Sequence, residues 1–159
     1  MAKPLNLPFG TKSLRSTADI ENYLDNLSND RPLQFTPYYS PNATFKWSGN
    51  PDRTTTEFVT WVEQVHTVVD EKLMLQKAIF NAEGTKIAAV INIQFRGKEN
   101  VRIDNFGERF GPVWPGHGPL VRAYVWYNLD KDGHILEAVE DIIPIQIATL
   151  PENAIPSSL

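Results

Sequence analysis

LVRAYVWYNLDKDGHILEAVED, Leu120 to Asp141, alternates apolar and polar residues on both sides of Asp130-Lys131-Asp132-Gly133. A period of two sends successive side chains to opposite faces, so each half is a strand buried on one face. Asp-x-Asp-Gly is turn chemistry in which the last residue needs positive φ, a conformation that favours glycine. A three-residue loop of Lys131, Asp132 and Gly133 then sets Tyr127 opposite Glu137, Val125 opposite Val139 and Ala123 opposite Asp141. In that register Glu137 and Asp141 share a face with Tyr127. The other face carries Arg122, Tyr124 and Trp126 with Ala138 and Glu140. A slip of one residue changes the partners and leaves each strand's own alternation intact.

The remainder of the chain fits one domain spanning 1–159, with 1–15 and 145–159 as loosely attached arms. At this length about two-thirds of the unfolded surface is buried on folding, enough for a core of its own. There is no cysteine, which excludes disulfides, thiolate metal sites and a cysteine nucleophile. A net charge of −4 and a pI near 5.3 provide no basic field, so nucleic acid is not an expected partner. The opening MAKPLNLPFGTKSLR lacks an apolar run of signal length, and no stretch is long enough to cross a membrane. The expectation is a soluble, cytoplasmic protein. Ser157-Ser158-Leu159 only distantly resembles a peroxisomal signal, since its middle residue is not basic.

Ser16 or Thr17 caps a first helix that carries Ile20, Leu24 and Leu27 on one face and ends in the Ser28–Pro32 cluster. Pro37 restricts 33–40 to a short helical turn, and Ala43 to Trp47 alternates as a strand. Thr54 and Glu57 form a capping box for the principal helix, with Phe58, Val62, Val65 and Val69 at helical spacing. Its β-branched residues lower its intrinsic propensity, so it must gain stability by lying on a sheet. Leu73 to Ala82 and Lys86 to Arg96 make a second hairpin about Glu83-Gly84. The stretch 97–119, with five glycines and three prolines, is a long loop of the kind that usually serves function, shortened if Val101 to Asp104 is a strand.

Helices followed by long antiparallel hairpins predict an α+β layer arrangement. The element order, the ATFKW strand before the main helix and above all PGHGPLVRAYVWYNLDKDGHILEAVED resemble the SnoaL-like polyketide cyclases of the nuclear transport factor 2-like (cystatin-like α+β) superfamily. The resemblance covers about Thr17 to Ile143. It implies a curved, mostly antiparallel sheet wrapped around helices to form a conical pocket, an α+β barrel that is often dimeric. It also implies cyclisation, isomerisation, dehydration or epoxide opening of small organic molecules, usually without a cofactor. The family's Gly-x-Ile-x-Glu pattern falls on Gly133, Ile135 and Glu137, whereas the Trp and acid that often follow are here Val139 and Asp141.

The candidate catalytic residues are Asp141, His66 and Glu137. A carboxyl facing an apolar cone is desolvated, which raises its pKa toward the value useful to a general acid or base. Against that stands the plain reading of Asp141 as a solvated strand-end residue and of Glu137 as half of an outward salt bridge. His66 borders the buried stripe of the main helix, either as a packed edge residue or as a proton carrier opposite Asp141. Tyr38, Tyr39, Trp47, Val62, Trp114 and Tyr127 are the candidate substrate-binding set, with tyrosine hydroxyls able to hold an oxyanion. Each of the aromatics taken alone reads as core. His117 and His134 read as exposed loop residues. The histidines do not recur at ligand spacing, and Asp130-x-Asp132-Gly133 lacks the later ligands of a calcium loop, so neither metal nor cofactor is expected.

Two functions follow. One is a cofactor-independent cyclase, isomerase or dehydratase (lyase) acting by acid/base catalysis on a small, largely apolar molecule of the secondary-metabolite type. The other is a non-catalytic small-molecule binding or dimerisation domain of the same fold. Arg122, Tyr124 and Trp126 on the outer face suit a homodimer interface.

Overall fold

Ser16 Oγ accepts the Asp19 N–H and starts α1, Thr17–Ser28, which buries Ile20, Tyr23, Leu24 and Leu27. Residues 6–107 and 110–148 are described in a computed structural model, whose described residues include no helix long and apolar enough to cross a membrane. After α1 come α2, Pro32–Phe35, and a 3-10 turn, Thr36–Tyr38. β1 is Tyr39–Trp47 and β2 is Arg53–Thr54. The expected Thr54/Glu57 capping box opens α3, Thr55–His66, with both reciprocal bonds present. Four strands complete the chain: β3 Val69–Phe80, β4 Lys86–Gly97, β5 Leu120–Leu129 and β6 Ile135–Gln146.

The six strands form one sheet in the order β2-β1-β6-β5-β4-β3, in which only β1 and β6 run parallel. The result is an α+β fold with a curved, mostly antiparallel sheet, as expected. Its concave face buries Ile87, Ala89, Ile91 and Ile93 of β4 and Val121, Ala123, Val125 and Tyr127 of β5. Phe45 of β1 stacks on Phe58 of α3 with ring centroids 4.1 Å apart, which fixes the helix to the sheet. Val69 does not belong to the helix stripe. Because α3 stops at His66, Val69 instead begins β3, fully buried.

The arms also differ from expectation where they are described. Residues 6–15 are fastened to the body: the Gly10 N–H donates to Tyr39 O, the Leu14 N–H donates to Gly133 O, and the Leu14 side chain is buried. The start of the 145–159 arm belongs to the sheet, since β6 pairs with β5 as far as Leu120 opposite Gln146. Residues 1–5 and 149–159, including the terminal Ser157-Ser158-Leu159, lie outside the described residues, as do Glu108 and Arg109.

The decisive departure lies in the hairpin read first. Leu129 pairs with Ile135, which is the expected register, but the next pair is Asn128 with Glu137. Leu136 is the extra residue of a β-bulge and stands 42% exposed. A bulge inserts one residue on one strand and so exchanges that strand's faces beyond it. Tyr127 therefore lies opposite Ala138, Val125 opposite Glu140 and Ala123 opposite Ile142. Glu137, Val139 and Asp141 go to the convex face with Tyr124 and Trp126.

Candidate active site

α3, the inner face of the sheet and the long loop enclose a cavity of about 350 Å³. Six aromatic side chains contribute to its wall: Trp47 from β1, Phe58 and Trp61 from α3, Phe95 from β4, and Phe106 and Phe110 from the loop. Phe106 packs edge-on against Phe95 at 5.1 Å, so the stretch expected to serve function closes one side of the cone. The polar lining among the described residues is Ser48, Asn50, Glu71 and Glu140.

Glu140 is the perturbed group. Burial pushes its carboxyl up to about 7, and the nearby Glu71 adds repulsion of the charged form. The residue is half-buried, on the wall of the cavity. Glu71 enters from β3, opposite Phe95 in register, and its Oε2 lies 2.8 Å from His66 Nε2. Both partners of that contact are largely buried, with side chains 8% and 9% exposed. The Lys98 ammonium donates to the His66 carbonyl and so ties the end of α3 to the start of the long loop.

No protein-family model matches the chain, and no curated protein matches it. Solved structures do. A candidate polyketide cyclase from Pseudomonas putida is 13% identical over 80% of this chain and 91% of its own, with a TM-score of 0.61. A nuclear transport factor 2-like protein of unknown function from Cytophaga hutchinsonii is 15% identical over 83% and 94%, at 0.55. An LEH-like epoxide hydrolase from Mycobacterium tuberculosis is 11% identical over 79% and 80%, at 0.56. The fold is nuclear transport factor 2-like. At these identities the likeness carries the fold and nothing finer.

Within this nuclear transport factor 2-like cone the expected site residues separate. Asp141 is exposed on the convex face, opposite Tyr124, and does not enter the cavity. Glu137 is also convex: its Oε2 is 2.8 Å from Lys46 Nζ, and Asn128 Nδ2 donates to its Oε1. Lys46 holds the Glu137 carboxyl below its ordinary range. Asp141 is therefore solvated, though in the middle of β6 and not at a strand end, and Glu137 is half of an outward salt bridge; the bulge at Leu136 is the physical reason. His66 is buried beside the cavity but reaches it through Glu71 and is not part of the wall.

Trp47 and Val62 line the cavity as expected. Tyr38, Tyr39 and Tyr127 are core instead, exposed by no more than 3%. The Tyr23 and Tyr39 hydroxyls share a hydrogen bond of 2.8 Å, and Tyr38 Oη accepts from Asn22 Nδ2. Burial raises the pKa of Tyr23, Tyr39 and Tyr127 well above the usual tyrosine value, so they stay neutral. Trp114 lies away from the cone, stacked on His117 at 4.9 Å within the loop.

The turn expected to be plain turn chemistry brings ligand-type atoms of Asp130, Asp132 and His134 within 4.8 Å of one another. Those of Asp130 are already engaged. Its Oδ1 accepts the Asp132 and His134 N–H groups, and its Oδ2 lies 3.1 Å from His134 Nδ1. Sequence reading missed Glu140, Glu71 and the Phe106/Phe110 wall. For Glu140 there was a usable signal: Ala138, Glu140 and Ile142 form the other alternating set, and Glu137 had Asn128 as a polar neighbour in the slipped register.

Proposed function

We propose that this chain is a cofactor-independent acid/base enzyme of the cyclase, isomerase or dehydratase kind, acting on a small, largely apolar substrate, with Glu140 as its proton carrier. The observation that carries this reading is Glu140 itself, an acid on the wall of an aromatic cavity with its pKa pushed to about 7. Near neutrality such a group is populated in both forms, which suits it to give and take protons. Glu71, held by His66, is the complementary acceptor, and His66 is a positioning residue. A concerted pair of transfers, Glu140 protonating a carbonyl oxygen while Glu71 removes an α-proton, passes through a neutral enol. It needs no oxyanion hole, which fits tyrosine hydroxyls committed to the core.

The test is deuterium incorporation at the α-carbon of 2-tetralone in D2O, followed by mass spectrometry. Exchange above buffer is expected, lowered by about two orders of magnitude or more in Glu140→Gln. A Glu140 that titrates in the ordinary carboxyl range, together with no exchange above buffer, would overturn the reading. The second reading, a binding module without catalysis, is favoured by the same committed tyrosines, since a carrier needs only apolar lining.

We also infer a homodimer through the convex face. Tyr124 and Trp126 are each 46% exposed there, beside Ile79, Val139 and Ile143, and soluble monomers seldom leave such a patch bare. Arg122 borders it, donating to Asn92 Oδ1. Sedimentation should give twice the chain mass and Trp126→Glu the single mass. A wild-type monomer at all concentrations would refute it.

A further inference from the structure

We propose that the cavity selects a positively charged apolar ligand, a flat hydrocarbon body bearing one protonated amine, through its aromatic side chains and the carboxyls of Glu71 and Glu140. The inference rests on the reading of the cone as the functional site and adds the charge of what enters it.

The wall combines six aromatic side chains with two acids. An aromatic face carries negative quadrupolar charge and attracts a cation within about 6 Å of its centroid, more strongly when the site is dry. Two of these rings already hold one. The Arg53 guanidinium lies 4.2 Å from the Trp47 centroid and 5.4 Å from that of Trp61. The acids add a second, independent attraction. Glu137 on the outer face has Lys46 as its counter-ion, whereas burial, and after it Glu71, push Glu140 the other way, and both disfavour its charged form. No cation among the described residues is paired with it. A buried carboxyl of this kind gains most from a ligand that brings a positive charge. An anionic ligand would meet two acids among the aromatic side chains, and a neutral one would bring no counter-charge to Glu140.

Three indoles of matched shape separate the cases: tryptamine (cation), 3-propylindole (neutral) and indole-3-propionate (anion). Each is titrated into the full chain by calorimetry at pH 7.5 and low salt, with indole N–H shifts of Trp47 and Trp61 followed by NMR. Tryptamine should bind at least tenfold tighter than 3-propylindole, and indole-3-propionate weaker than both. Glu140→Gln and Glu71→Gln should each weaken tryptamine severalfold and leave 3-propylindole unchanged, with unfolding midpoints confirming that both variants fold. Equal or tighter binding of 3-propylindole with the same Trp shifts overturns the charge selection while leaving the cavity as the site. Tryptamine that fails to bind, or binds without moving Trp61 or without responding to either variant, overturns the proposal outright. Catalysis is measured separately, by deuterium exchange in the unaltered chain.

Discussion

The two faces of β6 carry acids three residues apart with opposite fates. Glu137, on the convex face, has a lysine at 2.8 Å and an amide donor, and its carboxyl sits below the ordinary range. Glu140, on the concave face, has apolar neighbours and another acid, and its carboxyl is pushed to about 7. The residue type and the strand are the same, so the difference is environment alone. A counter-ion stabilises the charged form, and burial without one penalises it. A strand buried on one face places these environments on alternate residues, and a one-residue bulge decides which acid receives which.

The largest expected effect tests whether the faces also differ in packing. Phe58 on the concave side is stacked on Phe45, touches Trp61 and Tyr39, and is 8% exposed. Phe58→Ala should destabilise the chain by about 3–5 kcal/mol in urea unfolding, as large-to-small core changes do. Trp126→Ala, on the convex side, should cost the folded monomer far less and act chiefly on self-association. Equal losses in dilute solution would mean that the convex aromatics are structural too.

Next in size is the contribution of Glu140 to stability as a function of pH. Its native pKa is raised from 4.5 to about 7, so between those values the folded chain keeps a proton that the unfolded chain has released. Stability therefore falls as pH rises through that window and is flat above it, by about 3 kcal/mol at most. Glu140→Gln should remove the slope and be the more stable protein at pH 8, with no such gain at pH 4. Urea midpoints across pH 4–8 measure this, and a wild-type curve without a fall between pH 4.5 and 7 breaks the contrast. A smaller effect is expected of Glu71→Gln. Removing that acid should lower the Glu140 pKa measured by carboxyl-detected NMR but leave it above 4.5, because burial is the larger cause.

These tests depend on a site only partly legible in the sequence. Alternation identified β4, β5 and β6, and Thr54 with Glu57 identified the start of α3, because both signals are local and repeat along the element. The inner face of β5 was also correct, since Val121, Ala123, Val125 and Tyr127 are buried. β6 was misassigned because its two alternating sets, 137/139/141 and 138/140/142, each contain acid and apolar residues, so polarity cannot choose between them. The choice is made by Leu136, whose bulge is a property of the turn and the neighbouring strand, not of the pattern. Glu71 was invisible for another reason: its importance comes from His66, five residues away across the end of α3, and from a strand distant in sequence. The loop aromatics Phe106 and Phe110 carry no periodicity, and only the packed fold reveals their place on the wall.

The smallest effect is the sharpest probe of the counter-ion's role, because it reverses one side of the comparison and leaves the other untouched. Lys46→Met keeps most of the aliphatic stem and removes the ammonium, the first cause of the lowered Glu137 pKa. Glu137 should then move upward toward the ordinary glutamate value, held down only by the Asn128 amide donor. Glu137 contributes stability above its unfolded pKa, and that contribution is lost as pH falls through its depressed folded value. The variant should accordingly show a flatter acid limb in urea midpoints between pH 3 and 5, with the change shrinking in high salt, since the pair lies near solvent. Glu140, on the opposite face, should not move. If Glu137 stays in place while Glu140 shifts, the sheet transmits charge between its faces, and burial alone no longer accounts for the cavity acid.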